Sequence, residues 1–353
     1  MLLHDHLDGG LRPQTVIDLS KDAGYRKLPT NDPGELGAWF FHGANKGSLM
    51  EFLEGFEHTI AVMQNREAIE RVAYEMMEDM HKDGVCYVES RFAPVQHTTG
   101  GLYYEDILSA VLSGLEKGKR EFGIGYGLIL CAMRNMRNSL EIAELAVNYR
   151  DQGVVGFDLA GEEGGYPPKE HIEAFQFIQR ENFSITIHAG EAFGLQSIWQ
   201  AIQYCGAHRI GHGTRLAEDI SHDKSGNVVG LGALSQYILD KRVPLEICLL
   251  SNLHTGAVEK LENHPFGDFL KLRFRVFLNT DDRLMSNTTL SGEYAIASEL
   301  FNMNIDTVET LNINAMKSAF CPYKERLRYI YEVIKPGYQK VRDQLLSLRQ
   351  EIP

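Results

Sequence analysis

A repeated alternation constrains this chain more than any other feature. Short Val/Ile/Leu-rich runs at 85–92, 124–133, 154–159, 184–188, 208–210, 244–250 and 275–279 read as strands. Helical spacing follows them at 104–120, 140–149, 170–180, 195–205, 230–241, 266–272 and 293–302. Residues 2–8 add an opening strand, which makes eight strand–helix units. Apolar strands separated by helices imply a parallel sheet covered on both faces. Eight units imply an α/β fold closed as a (β/α)8 TIM barrel, and 353 residues suit one such barrel with insertions.

The extra length falls in two places. Pro13 starts a helix running through 15–23. Residues 28–82 then read as inserted helices, with Pro33, four glycines and the cluster Trp39-Phe40-Phe41 in the first half. That cluster either forms a lid or packs under a loop. Phe52, Phe56 and Ile60, then Ile69, Val72, Met76 and Met80, continue at helical spacing. Residues 303–353 supply further helices outside the barrel. With no linker or repeat, 1–353 is expected to be a single domain. The chain begins almost at its first candidate ligand, so little precedes the barrel floor to cover it.

Composition removes several function classes. Lys plus Arg total 35 against 48 Asp plus Glu, a net charge of −13, and no basic run is present. A phosphate backbone is therefore an unsuitable partner, and nucleic acid is set aside. Five cysteines, never in a C-x-x-C pair, speak against disulfides and thiolate zinc. The expected setting is the cytoplasm, with no signal peptide and no membrane span.

In such barrels the site lies at the C-terminal ends of the strands, and the chemically suggestive residues fall there. His4, His6 and Asp8 share one strand face at i, i+2, i+4. His188 ends the fifth strand, His212 the sixth, and Asp281-Asp282 the eighth. Singly, a strand-end histidine is often structural and paired aspartates often cap a helix. Jointly, His4, His6, His188 and Asp281 make a zinc donor set with room for water. His212 is placed to orient or deprotonate that water. Glu191, three residues past His188, faces a substrate, and burial would keep it protonated. Asp282, pointing away from Asp281, serves another task such as substrate binding.

The segments HDHLDG (4–9), GFDLAGEE (156–163), HAGEAFG (188–194), RIGHG (209–213) and NTDD (279–282) closely resemble the adenosine deaminases of the amidohydrolase superfamily. RFAP (91–94), GYPP (165–168) and DDRLMS (281–286) look most like the actinobacterial-type bacterial branch. The resemblance implies one Zn2+ per chain on His4, His6, His188 and Asp281, with His212 as base. It implies that Glu191 protonates purine N1 while activated water attacks C6 and ammonia leaves. The Gly161 N–H would bind N3, Asp282 would bind N7, and Asp8 with His6 would meet the ribose 5′-hydroxyl. The implied substrate is a small purine nucleoside, adenosine or 2′-deoxyadenosine. The cytidine-type H-x-E and P-C-x-x-C pair is absent.

Two positions depart from the pattern. Leu249-Leu250 replace a more usual Pro-x on the seventh strand, and Arg283 replaces a proline; both are expected on the rim. Asp8, where adenine-specific relatives tend to carry Glu, favours a nucleoside over the free base. No glycine-rich cradle or basic cluster near Asp8 offers a phosphate site for AMP. A 5′-substituted adenosine (aminodeoxyfutalosine or a methylthio analogue), another amidohydrolase reaction, and a non-catalytic nucleoside-binding protein are the competing readings. The sequence carries no indication of oligomeric state.

Overall fold

The structure, a computed structural model, describes residues 1–351 and side chains as far as 347, so the last two residues of the expected 303–353 tail lie outside it. Six strands come first: β1 (Leu2–His6), β2 (Tyr87–Phe92), β3 (Gly125–Met133), β4 (Val154–Ala160), β5 (Thr186–Ala189) and β6 (Arg209–His212). An antiparallel ribbon, β7 (Ile220–His222) and β8 (Val228–Leu231), interrupts the series before β9 (Leu245–Ile247) and β10 (Val276–Leu278). Parallel pairing builds two four-stranded arcs, β1-β2-β3-β4 and β5-β6-β9-β10. Parallel bridges join Phe157 to Ile185 and Asp5 to Asp281. These bridges close the two arcs into an eight-stranded barrel. At the second seam the His6 N–H donates to the Asp281 carbonyl at 2.8 Å, and the Asp281 N–H donates to that of His4 at 3.0 Å. Closure thus sets the first candidate ligands beside the last.

The expected (β/α)8 architecture is present, with two local corrections. Residues 228–231 pair as β8 rather than opening a helix, which begins at Ala233. The Asp223 side chain accepts from the N–H groups of Ser225 and Asn227 at 2.8 and 2.9 Å, which turns the ribbon. The seventh barrel strand ends at Ile247, and Leu249–His254 is helical. There Glu293 takes the Leu249 N–H at 2.9 Å, so the chain leaves the ladder. A short apolar run such as Cys248-Leu249-Leu250 does not itself distinguish strand from helix.

The outer layer follows from amphipathic spacing. Arg66–Lys82 buries Ile69, Val72, Met76 and Met80 on one face, each worth about 1.5–3 kcal/mol when fully buried. In the aromatic cluster the packing reading holds for Phe40, which is buried, while Trp39 is exposed and Phe41 meets the His254 ring edge-on at 5.3 Å. Cover for the floor comes from the other end of the chain, where Met316, Tyr329 and Ile330 pack with Met1, Leu3 and Phe277. Among the described residues, no helix is long and apolar enough to cross a membrane.

The barrel interior is not wholly apolar. Glu89, Arg91, Asp158, Arg209 and Glu246 are buried within it. Arg91 donates to Asp158 and to Glu246, both at 2.8 Å, and Arg209 donates to Glu246 at 2.5 Å and Glu89 at 2.6 Å. Each charge has an opposite neighbour, the condition under which ionised groups tolerate removal from water.

Candidate active site

The strand ends bring His4, His6, His188 and Asp281 together, with one ligand atom of each inside a group spanning at most 4.8 Å. Two of the three histidines have their outer nitrogens engaged. His4 Nδ1 lies 2.8 Å from Glu246, and His188 Nδ1 lies 3.1 Å from Asp158. A neutral ring that donates outward keeps its lone pair on Nε2, facing inward. His4 Nε2 approaches Asp281 Oδ1 to 2.9 Å, yet neither atom has a hydrogen-bond partner. His6 Nε2 and His188 Nε2 stand 3.1 Å apart. Converging lone pairs and a carboxylate repel unless a cation lies among them, so the donor set fits a metal, and its imidazole–carboxylate chemistry suits zinc. Histidines outweigh burial at Asp281 and hold its carboxyl well below the ordinary range, which preserves an anionic donor.

A second grouping, His212 with Cys248 and Asp281, shares one of these donors. Burial pushes the Cys248 thiol well above its usual range, leaving it a neutral and poor ligand. His212 instead stands beside the first group. Its Nε2, also without a hydrogen-bond partner, lies 3.6 Å from Glu191 and 4.0 Å from Asp281. Asn252 sits 2.9 Å from Nδ1 and fixes the ring. His212 and Asp281 both adopt left-handed backbone, at φ 61° and 57°. Such conformations are costly for these residue types and concentrate where a site requires them.

Two further carboxyl groups have the opposite character. Burial, then the negative neighbours Asp281 and Glu163, push Glu191 well above the ordinary range. Burial, then Asp281 and Asp8, do the same to Asp282. Both carboxyls are thereby biased toward the protonated form, and each keeps one buried oxygen unpartnered. Glu191 is positioned by Glu163, whose carboxylate accepts from the N–H groups of Gly190, Glu191, Ala192 and Phe193 at 2.6–3.1 Å. Gly161 ends β4 at φ +95°, a backbone that glycine adopts readily.

At the other edge, Asp8 is buried with Oδ1 unpartnered and Oδ2 3.3 Å from His97 Nε2. His97 is itself held through Nδ1 by the Met63 carbonyl at 3.0 Å. Phe56, from the inserted helices, meets the His6 ring edge-on at 6.4 Å.

Some local expectations change. Gly9 and Gly10 are not left-handed; they are small because neighbours come close. A Cβ on Gly9 would lie 1.8 Å from Asp282 Oδ1, and one on Gly10 2.3 Å from the Arg283 guanidinium. Arg283 is not on the rim, because Asp5 binds its Nε at 2.8 Å behind the site. Leu249 is likewise buried in the core. Sequence reasoning missed Glu246, Asp158, Arg91, Glu163 and His97. Glu89 and Arg91, two charges on one face of a strand, were the available signal for the buried network.

With this geometry in hand, similarity can be weighed. The family model for adenosine deaminase matches residues 1–336. The chain is 51% identical over 351 residues to adenosine deaminase 1 of Streptomyces coelicolor, covering 98% of this chain and 88% of that one. It is 52% identical over 342 residues to the adenosine deaminase of Mycobacteroides abscessus, covering 96% and 94%. The crystal structure of an adenine deaminase from Arthrobacter aurescens aligns with a TM-score of 0.82 at 24% identity, over 96% of this chain and 98% of its own. That last likeness is one of fold.

Proposed function

The chain belongs to the adenosine deaminase family, and we propose that its barrel mouth hydrolyses the 6-amino group of adenosine and 2′-deoxyadenosine, giving inosine or deoxyinosine and ammonia. One observation carries this assignment to particular residues. The ring nitrogens N1, N3 and N7 of adenine are acceptors, and what supports matching donors is the upward pKa bias of the buried Glu191 and Asp282 carboxyls at this mouth, with the Gly161 N–H as the third. Two carboxyls biased toward the protonated form beside one metal position favour a ring with several acceptors over a simple amide or ester.

In this mechanism, His4, His6, His188 and Asp281 would hold a single zinc ion, which would lower the pKa of water there toward neutrality. His212 accepts a proton from the attacking water, a role supported by its partnerless Nε2 and by burial, which lowers its pKa and keeps the ring neutral. Glu191 delivers a proton to N1 as C6 is attacked, which draws electrons out of the ring. Asp282 and Gly161 fix the purine plane, while Asp8 and His6 meet the ribose 5′-hydroxyl. The whole chain acts as one deaminase domain with a small-molecule nucleoside partner. The five free cysteines support a reducing cytoplasmic setting.

An ultraviolet assay for loss of the 6-amino group tests the assignment. The substrates are adenosine, 2′-deoxyadenosine, adenine, AMP and a 5′-methylthio analogue. The highest kcat/KM is expected for adenosine. A higher value for the 5′-extended nucleoside would keep the chemistry and overturn the reading of the ribose end.

A further inference from the structure

The opposite end of the barrel holds a second charged cavity that deamination does not use. It has a volume of about 700 Å3, within the range of small-molecule sites. It opens where β6 begins and just before β9 and β10, beneath the 317–326 segment of the tail. Six cations line it: Arg209, Lys241, Arg242, Arg275, Lys317 and Arg326, with no carboxylate in the wall. In a chain of net charge −13, this local excess runs against the composition.

Arg209 is the buried anchor. Glu246 and Glu89 engage its Nε and Nη1, the Ser318 carbonyl accepts at 3.0 Å, and the guanidinium lies 3.6 Å over the Phe320 ring. Its Nη2 is left without a hydrogen-bond partner, as are the buried Nε atoms of Arg275 and Arg326. Among the described residues, the other five cations have no carboxylate within ion-pair distance. Burial, then the neighbouring Arg242, lower the Arg275 pKa.

We propose that this floor cavity is a binding site for a small molecule carrying more than one phosphate group. Guanidinium forks match phosphate oxygens in pairs, and unpaired lysines add charge without fixing orientation. Arg209, held by Glu246, Glu89 and the Phe320 ring, gives the cavity one fixed guanidinium in its wall, which a merely basic surface lacks. A cavity of about 700 Å3, open to solvent on one side, matches a compact anion in size better than an extended acidic segment of a protein.

The test is calorimetric titration of the full-length, zinc-loaded protein with fructose 1,6-bisphosphate, using fructose as the uncharged control. One saturable site is expected for the bisphosphate and none for fructose. Arg275→Gln with Lys317→Gln should weaken binding by at least about tenfold, while kcat/KM for adenosine stays within about twofold. Lys317→Gln alone, an exposed substitution, should weaken it measurably without risk to the fold. Absence of saturable binding at millimolar bisphosphate would overturn the proposal. So would affinity unchanged in both variants, or binding of an oligoglutamate peptide in place of the bisphosphate.

Discussion

At the C-terminal ends of the strands, His4, His6, His188 and Asp281 turn lone pairs toward one point. At the N-terminal ends, Arg275, Lys317 and Arg326 surround a cavity whose wall has no carboxylate. Between the two, Arg91, Arg209, Glu89, Asp158 and Glu246 form ion pairs at 2.5–2.8 Å, and no charge there lacks a neighbour of opposite sign. One set of strands therefore carries converging cation donors at its mouth, a cluster of unpaired cations at its floor and a neutralised middle. Imbalance of buried charge is costly. That cost applies at the mouth, where the converging donors are buried; the floor cations are mostly exposed or half-buried, and what sets them apart is the missing carboxylate.

The largest effect should come from breaking the mouth at its acid. Glu191→Gln removes the transferable proton but keeps the shape. It should lower kcat for adenosine by about a thousandfold, within the range for a positioned general acid. Zinc content by elemental analysis should be unchanged. Breaking the middle comes next. Glu246→Gln should weaken zinc affinity by about 10–100-fold, measured against a chromophoric chelator, because His4 loses its outer carboxylate. Glu246→Ala, which strands Arg91 and Arg209, should cost about 3–5 kcal/mol in chemical unfolding.

A smaller effect concerns pH. Glu191 is active as the acid, and its carboxyl is raised, so kcat/KM should fall as pH climbs through that raised value. Glu163 is one of the negative neighbours that raise it. Glu163→Gln should therefore move the alkaline limb to lower pH, besides reducing kcat through the loosened loop. A limb that stays in place while kcat falls would assign Glu163 a structural role alone. The smallest effect is at the ribose edge. His97→Gln should reduce the preference for adenosine over 5′-deoxyadenosine by about tenfold, roughly one hydrogen bond to a charged group. The rate for 5′-deoxyadenosine should hardly change.

The mouth was far more legible in the sequence than the middle or the floor. His4, His6, His188, His212, Asp281 and Asp282 sit at strand ends in short distinctive runs, and strand alternation gave the barrel. The partners of those ligands were not legible, because Glu246 reaches His4 across 242 positions and only closure sets them together. Gly9 illustrates a finer limit. A turn is present at 8–9, where the Gly9 N–H donates to the His6 carbonyl at 3.2 Å, but the need for glycine comes from the Asp282 carboxyl lying where a side chain would be. Arg283 was expected near substrate, but the turn of chain after Asp282 delivers it to Asp5. The floor cations come from four separate segments, each unremarkable alone, so no local motif announces them.

The central claim is that the converging lone pairs hold one zinc ion and that this completes a deaminase. Removing metal from the purified protein, then adding zinc in substoichiometric steps while following loss of the adenosine 6-amino absorbance, tests it most directly. The account predicts no turnover at zero zinc and a linear rise that stops at one equivalent per chain. Full adenosine turnover in the metal-free protein, or none after one equivalent is bound, would contradict it.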